Sequence, residues 1–447
     1  MSARLFGTDG VRGVANSEVT PEIAYKMGKA ATQYFGAKHD GKPLVLIGRD
    51  TRLSGSMLEA ALAAGICSAG GDALSLGVVP TPAVAYLAQK MGADAGVVIS
   101  ASHNPFGDNG IKYFAGDGYK LADAVEDELE ELINNYRDLP YPTGEKVGTF
   151  STNTGLIEQY IGYIVGTADV RLKGLKVVID CSNGASYMVA PEVLRQLGAE
   201  VIVIHDRPDG ININAKCGST HMESLRQSVI THKADIGIAN DGDADRCLAV
   251  DELGNMVDGD RIMLICALDL MRQGKLPDNA IVTTVMSNLG MKKAFTKAGG
   301  KLEITPVGDR YVLERMVEKK IVIGGEQSGH LIFANHSTTG DGVLTAVQLL
   351  CVLKRSGKKM SELAALMIQY PQILKNLRVK SRTGWQDNAA IKAAIESAEA
   401  ELGEDGRVLV RASGTEPLIR VMAEGPDKER LSELINHIVA VITKEKV

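Results

Sequence analysis

Ala93-Asp-Ala-Gly-Val-Val-Ile-Ser-Ala-Ser-His-Asn-Pro105 and Ala234-Asp-Ile-Gly-Ile-Ala-Asn-Asp-Gly-Asp-Ala-Asp-Arg246 are two versions of one pattern. Each opens on Ala-Asp-x-Gly, runs through a short apolar stretch and ends in a dense polar loop. A short apolar run bounded by turn residues reads as a strand buried on both faces. Upstream of each lie two more such runs, separated by helical stretches that end at glycine. In the first copy they are Pro43-Leu-Val-Leu-Ile-Gly-Arg-Asp50 and Gly70-Gly-Asp-Ala-Leu-Ser-Leu76. In the second they are Leu175-Lys-Val-Val-Ile-Asp180 and Gly198-Ala-Glu-Val-Ile-Val-Ile204. A third copy is weaker and lacks Ala-Asp-x-Gly. It starts at Ala280-Ile-Val-Thr-Thr-Val285, passes Gly299-Gly-Lys-Leu-Glu-Ile304 and ends with Ile321-Val-Ile-Gly-Gly-Glu-Gln-Ser-Gly-His330.

Strands alternating with helices predict βαβ units, hence α/β domains with parallel content and helices outside the sheets. Ligands of such sheets bind beyond the carboxyl ends of the strands. Each copy places its most polar loop directly there, so three loops from three domains can face one cleft. The tail differs. A strand over 373–380, an Ala-rich helix over 387–402 broken by Gly403 and Gly406, strands over 407–412 and 418–424 and a helix from 427 predict an α+β domain. The expected fold is three related α/β mixed-sheet domains (1–150, 151–254, 255–370) and a C-terminal α+β domain (371–447) around a central cleft.

The 447 residues suffice for several cores without disulfides or metals. Apolar residues at 45% and charged residues at 23% exclude a disordered chain. A net charge of −6 and 4% aromatics argue against nucleic acid as a partner. No two of Cys67, Cys181, Cys217, Cys247, Cys266 and Cys351 are spaced Cys-x-x-Cys, which fits a reducing cytosol. The opening residues lack a signal peptide's apolar region, and no apolar run is long enough for a bilayer. A cytoplasmic protein with no membrane partner is expected.

Asp241-Gly-Asp-Ala-Asp-Arg246 is the strongest local signal. Carboxylates crowded together repel unless a cation sits between them, and a hard divalent ion prefers such oxygens. An EF-hand is the rival: Glu252 falls at loop position twelve, but position six is Arg246 where glycine is required, and strands flank the loop. A plain polar loop is the third reading. In Ser100-Ala-Ser-His-Asn-Pro105 either serine is a nucleophile candidate, or the segment is a Ser-turn closed by proline. The repeat favours Ser102, which follows Ala93 by the offset that sets Asp243 after Ala234. Gly325-Glu-Gln-Ser-Gly-His330 allows close backbone approach to a ligand, with Glu326 and Ser328 for sugar hydroxyls and His330 for protons. Arg411-Ala-Ser-Gly-Thr-Glu-Pro-Leu-Ile-Arg420 offers two guanidiniums, two hydroxyls and backbone amides to a phosphate, or is a hairpin connection. The glycine-flanked Arg12 of Gly7-Thr-Asp-Gly-Val-Arg-Gly13, and the arginines of Gly48-Arg-Asp-Thr-Arg52, read as anion contacts or as structural turns. Lys112 alone reads as a solvated surface residue.

Together, in this order, the four loops resemble those of the α-D-phosphohexomutase superfamily, over nearly the whole chain. The Gly7–Gly13 opening, Gln327 and the Ser-Gly-Thr at 413–415 resemble the subgroup that interconverts glucosamine 6-phosphate and glucosamine 1-phosphate. The resemblance implies a phosphoryl group on Ser102 and one Mg²⁺ between it and Asp241, Asp243 and Asp245. It further implies a glucosamine 1,6-bisphosphate intermediate on the way to UDP-N-acetylglucosamine. Arg246 would add positive field, with Lys112 and His330 as acid–base candidates. The hexosamine phosphate would be held by Arg12, Glu326, Gln327, Ser328, Arg411, Ser413, Gly414, Thr415 and Arg420. A homodimer is a family-level expectation. Rivals are the same fold acting on glucose or mannose phosphates, a non-catalytic sugar-phosphate sensor, and a Mg²⁺-dependent phosphatase.

Overall fold

The computed structural model describes residues 4–7, 9–37, 41–379, 384–412 and 418–445. Its first six strands are β1 (Val11–Val14), β2 (Leu44–Arg49), β3 (Asp72–Val78), β4 (Ala95–Ile99), β5 (Asp108–Ala115) and β6 (Phe150–Thr152), in the order β1-β5-β4-β2-β3-β6. The next five, β7 (Lys176–Asp180), β8 (Glu200–Ile204), β9 (Ile236–Asn240), β10 (Cys247–Asp251) and β11 (Met256–Val257), form a sheet ordered β11-β10-β9-β7-β8. Then β12 (Ala280–Thr284), β13 (Lys301–Thr305), β14 (Ile323–Gly325) and β15 (Leu331–Phe333) are ordered β13-β12-β14-β15.

All three sheets share one motif. The first strand of each copy lies between the second and the third, parallel to both. A fourth strand returns antiparallel to the third. The third copy has this topology although it lacks the Ala-Asp-x-Gly signature. Each polar loop singled out in the sequence joins the third strand to the fourth, so the fold puts all three at equivalent places. The α/β expectation holds, with mixed sheets for the stated reason.

The central strands β4, β7, β9 and β12 are buried along almost their whole length, as strands covered on both faces must be. Helices Pro21–Gly36 and Gly55–Ser68 supply Met27, Leu58, Leu62 and Ile66 to the core that Val45, Ile47, Val97 and Ile99 enter from the first sheet. The first of these helices starts where Thr20 Oγ1 accepts from the Ile23 amide and Pro21 presets the first turn.

The chain divides into two compact units, Met1–Met286 with Gly300–Leu366, and Ser287–Gly299 with Met367–Val447. The second unit holds an antiparallel sheet of β16 (Gln372–Arg378), β17 (Arg407–Ala412) and β18 (Leu418–Glu424), ordered β16-β18-β17. Helices Ala389–Leu402 and Lys428–Lys444 cover it, burying Ile391, Ile435 and Ile438 with Ile419 and Val421. Asn388 caps the first of these by accepting from Ala390 and Ile391, so the helix begins two residues later than the composition suggests. Of the strand expected over 373–380, β16 ends at Arg378 and Lys380 lies outside the described residues.

Helix Leu289–Lys297 belongs to this second unit. The fully buried Glu424 accepts from the Leu289 amide at 2.8 Å and from Arg407 Nε at 2.6 Å, and Arg407 also donates to the Ser287 carbonyl. One long-range carboxylate thus ties the helix to the tail, which no local pattern announces. Among the described residues no helix is long and apolar enough to cross a membrane, and all six cysteines are free thiols.

Candidate active site

Two of the equivalent loops meet at Ser102. Its hydroxyl donates to Asp241 Oδ2 at 2.6 Å and lies 3.3 Å from His103 Nδ1. Both Ser102 (φ +51°) and Ala244 (φ +60°) sit in the left-handed region, which aims the polar side chains of both loops inward. Gly242 is required at the meeting point. A Cβ there would stand 2.6 Å from the Ser102 carbonyl and 2.7 Å from Asn214 Nδ2.

Asp241, Asp243 and Asp245 are all buried, with one oxygen from each within 4.8 Å of the others. Asp243 Oδ1 and Asp245 Oδ1 have no hydrogen-bond partner although they are shut off from solvent. Burial, with the charges of Asp245 and Asp243, pushes the Asp241 carboxyl up to about 8. Burial also works against an ionised Asp245, but His330, Lys112 and Arg246 outweigh it and hold that carboxyl well below the usual range. Orphaned oxygens and mutual repulsion in a dry pocket suit a hard cation. The donor set fits Mg²⁺.

Lys112 is only 3% exposed, which corrects the surface reading. Its ammonium donates to Asp243 Oδ2 at 2.8 Å and lies 3.8 Å from both Asp9 and Asp245. Burial opposes its charge, and Asp243, Asp9 and Asp245 outweigh burial, so its pKa is raised. Thr81 donates to the same Asp243 oxygen at 2.7 Å. Arg246 donates its backbone amide to Asp241 Oδ1 at 3.2 Å, and its Nε lies 3.9 Å from Asp245 Oδ1.

His330, from the third loop, is buried with Nδ1 3.5 Å from Asp245 Oδ2 and Nε2 3.6 Å from Asp309 Oδ2. Burial disfavours its imidazolium, and the two carboxylates more than compensate. The Gly340 amide nevertheless donates to Nε2 at 3.2 Å. Asp245 on the Nδ1 side and the Gly340 amide and Asp309 on the Nε2 side fix the plane of the ring. His103 is the opposite case. Burial, Arg246 and Arg12 lower its pKa to about 4, which leaves a neutral ring beside the serine.

Glu326 Oε1 accepts from the Gly308 amide at 3.1 Å, Gln327 Nε2 faces Asp258 Oδ2 at 3.4 Å, and Ser328 is exposed. The tight turn needs Gly329 (φ +93°), where a Cβ would meet the Cys247 carbonyl at 2.4 Å. Arg12 pairs with Asp9. In the second unit, Arg411 and Arg420 are register partners across β17 and β18, while Ser413, Gly414 and Thr415 lie outside the described residues.

The anion-contact reading of Arg49 and Arg52 is corrected. Arg49 pairs with Glu59 at 2.8 Å, and Arg52 is buried against Asp50 and backbone carbonyls. Sequence reasoning also missed Asp9, Lys120 and Asp309. Lys120 bridges Asp9 (2.7 Å) and Asp309, linking the first loop's surroundings to His330. Asp9 stands inside the glycine-rich opening, which was its only signal; Lys120 and Asp309 sit in unremarkable segments.

The phosphoglucomutase/phosphomannomutase family matches the chain four times: α/β/α domain I at residues 3–139, domain II at 158–254, domain III at 258–370 and the C-terminal domain at 374–441. A phosphoglucosamine mutase of Symbiobacterium thermophilum is 56% identical over 444 residues, 99% of both chains. One of Desulforamulus reducens is 53% identical over 441 residues, 98% of this chain and 99% of its own. Among solved structures, a phosphoglucomutase/phosphomannomutase family protein from Burkholderia thailandensis superposes with a TM-score of 0.81 at 24% identity, over 100% of this chain and 98% of that one. An Aspergillus fumigatus N-acetylphosphoglucosamine mutase, solved with GlcNAc-6P and magnesium, gives 0.69 at 17% identity over 99% and 96%.

Proposed function

The chain belongs to the phosphoglucomutase/phosphomannomutase family, and from that premise we propose that it is an isomerase interconverting glucosamine 6-phosphate and glucosamine 1-phosphate. The observation that carries this is the 2.6 Å hydrogen bond from Ser102 Oγ to Asp241 in a buried three-carboxylate pocket. The names of its full-length relatives support the amino-sugar substrate.

In the proposed reaction Ser102 carries a phosphoryl group in the resting enzyme. A sugar hydroxyl attacks phosphorus, the bond to Ser102 Oγ breaks, and a glucosamine 1,6-bisphosphate forms. The hydroxyl proton passes to a base, and Ser102 Oγ takes up a proton. The bisphosphate then turns over, Ser102 Oγ gives up its proton and attacks the other phosphorus, and the sugar oxygen leaves and takes up a proton, which restores the enzyme. Mg²⁺ held by Asp241, Asp243 and Asp245 supplies, when bound, positive charge against the phosphoryl oxygens.

The rest falls to the chain. Phosphoryl transfer needs positioning and charge neutralisation more than covalent help. The Lys112 ammonium and Arg246 supply positive charge beside the aspartate cluster that Ser102 faces. His330, held between Asp245 and Asp309, and Lys112 are the proposed proton carriers. Glu326 and Ser328 hold sugar hydroxyls, and Arg12 a phosphate oxygen. Gln327 donates its amide nitrogen toward Asp258, which leaves its carbonyl oxygen as an acceptor for the 2-ammonium.

The test is a coupled assay with glucosamine, glucose and mannose 1-phosphates on one preparation. The expected result is the highest kcat/KM for the amino sugar with residual activity on glucose 1-phosphate, because Glu326 and Ser328 hold hydroxyls that both sugars share. An equal or higher kcat/KM for glucose or mannose 1-phosphate would overturn the substrate assignment and leave the family in place. Net release of phosphate without isomerisation would favour the phosphatase.

The phosphate not reacting is assigned to Arg411, Ser413, Gly414, Thr415 and Arg420. Two arginines at register-partnered positions of β17 and β18 offer charge-assisted hydrogen bonds to a phosphate. Since a hydrogen bond to a charged group contributes about 1.5–3 kcal/mol, Arg420→Ala is expected to weaken substrate binding by roughly ten- to a hundredfold. Isothermal titration with glucosamine 6-phosphate measures it. Unchanged affinity in a folded variant would remove Arg420 from the site.

A further inference from the structure

Ser102 is held in a left-handed backbone conformation that serine does not favour, so something around it must keep it there. The answer lies beneath the loop. Arg52 is 1% exposed, and each of its five N–H groups meets an acceptor. Nε donates to Asp50 Oδ2 at 2.9 Å. One terminal nitrogen donates to the carbonyls of Asp108 (3.0 Å) and Pro105, the other to those of Ser102 (3.0 Å) and Asn104 (2.8 Å). Four carbonyls of one loop converge on one guanidinium.

Asp50 completes the assembly. Its Oδ1 accepts from the Arg52 amide at 2.9 Å, and its Oδ2 accepts from Ser100 Oγ at 2.6 Å. Ser100 Oγ in turn accepts from the Ser102 amide at 2.9 Å. The Ser102 amide and carbonyl are therefore both tied to the Asp50–Arg52 pair, one through a hydroxyl and one directly.

The repeat separates what belongs to the fold from what belongs to the serine loop. In the second copy Asp180, also at the end of the first strand, accepts from the amide two residues on, Ser182, at 2.8 Å. In the third copy Thr284 Oγ1 accepts from the Met286 amide at 3.3 Å. A turn of this kind closes the first strand of every copy, but Asp180 and Thr284 are in register with Gly48, so in the first copy it falls two residues later. In strand register the positions matching Arg52 are Gly184 and Asn288, so the buried guanidinium belongs only to the copy that carries Ser102. Asp180 has its oxygens engaged by Ser182, Gly218 and His205, which makes the Asp180–His205–Cys217 cluster a loop closure of the same kind.

We propose that Asp50, Arg52 and Ser100 are positioning residues that fix the Ser102 hydroxyl for phosphoryl transfer. The proposal rests on Ser102 being the phosphoryl carrier. A lysine has three donors where this site uses five, so Arg52→Lys leaves the Ser102 and Asn104 carbonyls to Asn214 Nδ2 (2.9 and 3.1 Å) and lets the loop shift. A misplacement of about 1 Å costs roughly a hundredfold in rate. The expected result is a loss of kcat of about that size in Arg52→Lys, and of roughly tenfold in Ser100→Ala, with KM changed less than about threefold. Ser100→Thr, which keeps the hydroxyl, is expected to recover most of the loss.

The experiment measures kcat and KM per folded molecule, with thermal melting to count the folded fraction, on these three variants and on Ser102→Ala. If Arg52→Lys does not fold, Ser100→Ala and Ser100→Thr decide. Wild-type kcat in folded Ser100→Ala, a loss carried by KM alone, or equal loss in the alanine and threonine variants would each overturn the proposal. Activity retained in Ser102→Ala would instead overturn the phosphoserine reading on which it rests.

Discussion

Ser102→Ala is expected to lower mutase turnover by at least about 10⁴-fold, or ~5.5 kcal/mol of barrier, because the proposed reaction carries the phosphoryl unit between the two sugar positions on the Ser102 hydroxyl. The fold should survive. The substitution deletes one hydroxyl whose partners are Asp241 and His103, and it removes a donor from a carboxyl already burdened by burial and like charge. Peptide mass mapping of active wild-type protein should place phosphate on Ser102. Phosphate on Ser100 alone, or turnover near wild type in the alanine variant, would remove Ser102 from the role. The structure already separates the two serines: Ser100 spends its hydroxyl on Asp50 and on the Ser102 amide, whereas the Ser102 hydroxyl faces the aspartates.

Metal dependence should show in stability as well as in rate. Three buried carboxylates with two unpartnered oxygens strain the metal-free protein, and a bound ion relieves that strain. At a hundredfold excess of Mg²⁺ over its dissociation constant, the folded state should gain about 2.7 kcal/mol, seen as a higher thermal midpoint that chelator reverses. Chelation should abolish turnover and Mg²⁺ should restore it. Asp241→Asn removes a carboxyl whose ionisation burial and its neighbours already oppose, so its metal-free midpoint should equal or exceed that of the metal-free wild type. It should lose the Mg²⁺-dependent rise and about 10³-fold in turnover, ~4 kcal/mol. A rise as large in Asp241→Asn as in wild type, or activity that survives exhaustive chelation, would place the ion elsewhere.

What made the site legible in advance was repetition. Residues 93–105 and 234–246 share a pattern because a strand buried on both faces must be apolar, and the loop beyond its carboxyl end is free to be polar. The alternation of strands and helices therefore set the α/β class, and the equal offsets paired Ser102 with the aspartate loop. The third copy was legible only by its position in the order. Its strand β14 is three residues long, and its loop carries no carboxylate run to advertise itself.

Linear patterns say nothing about a buried charge whose partner is a hundred residues away. Lys112 read as surface because lysine usually is. Its burial depends on Asp243, 131 positions on, and on Asp9. Lys120 and Asp309, 189 positions apart, form an ion pair for which neither segment has a motif.

Arg52 shows the same limit from the other side. Two arginines after a strand looked like anion ligands, because charge and location were all the sequence offered. Only the tertiary structure decided that Arg52 turns inward, since only there do four carbonyls of the 102–108 loop converge on one buried guanidinium. The amino-acid sequence by itself determined which segments become strands, where the polar loops fall and which residue types stand in them, because those follow from local periodicity and burial. Which charges neutralise one another, and which hydroxyl is left to face the aspartates, was decided by packing, because electrostatic partnership in a dry interior depends on distance in space and not along the chain.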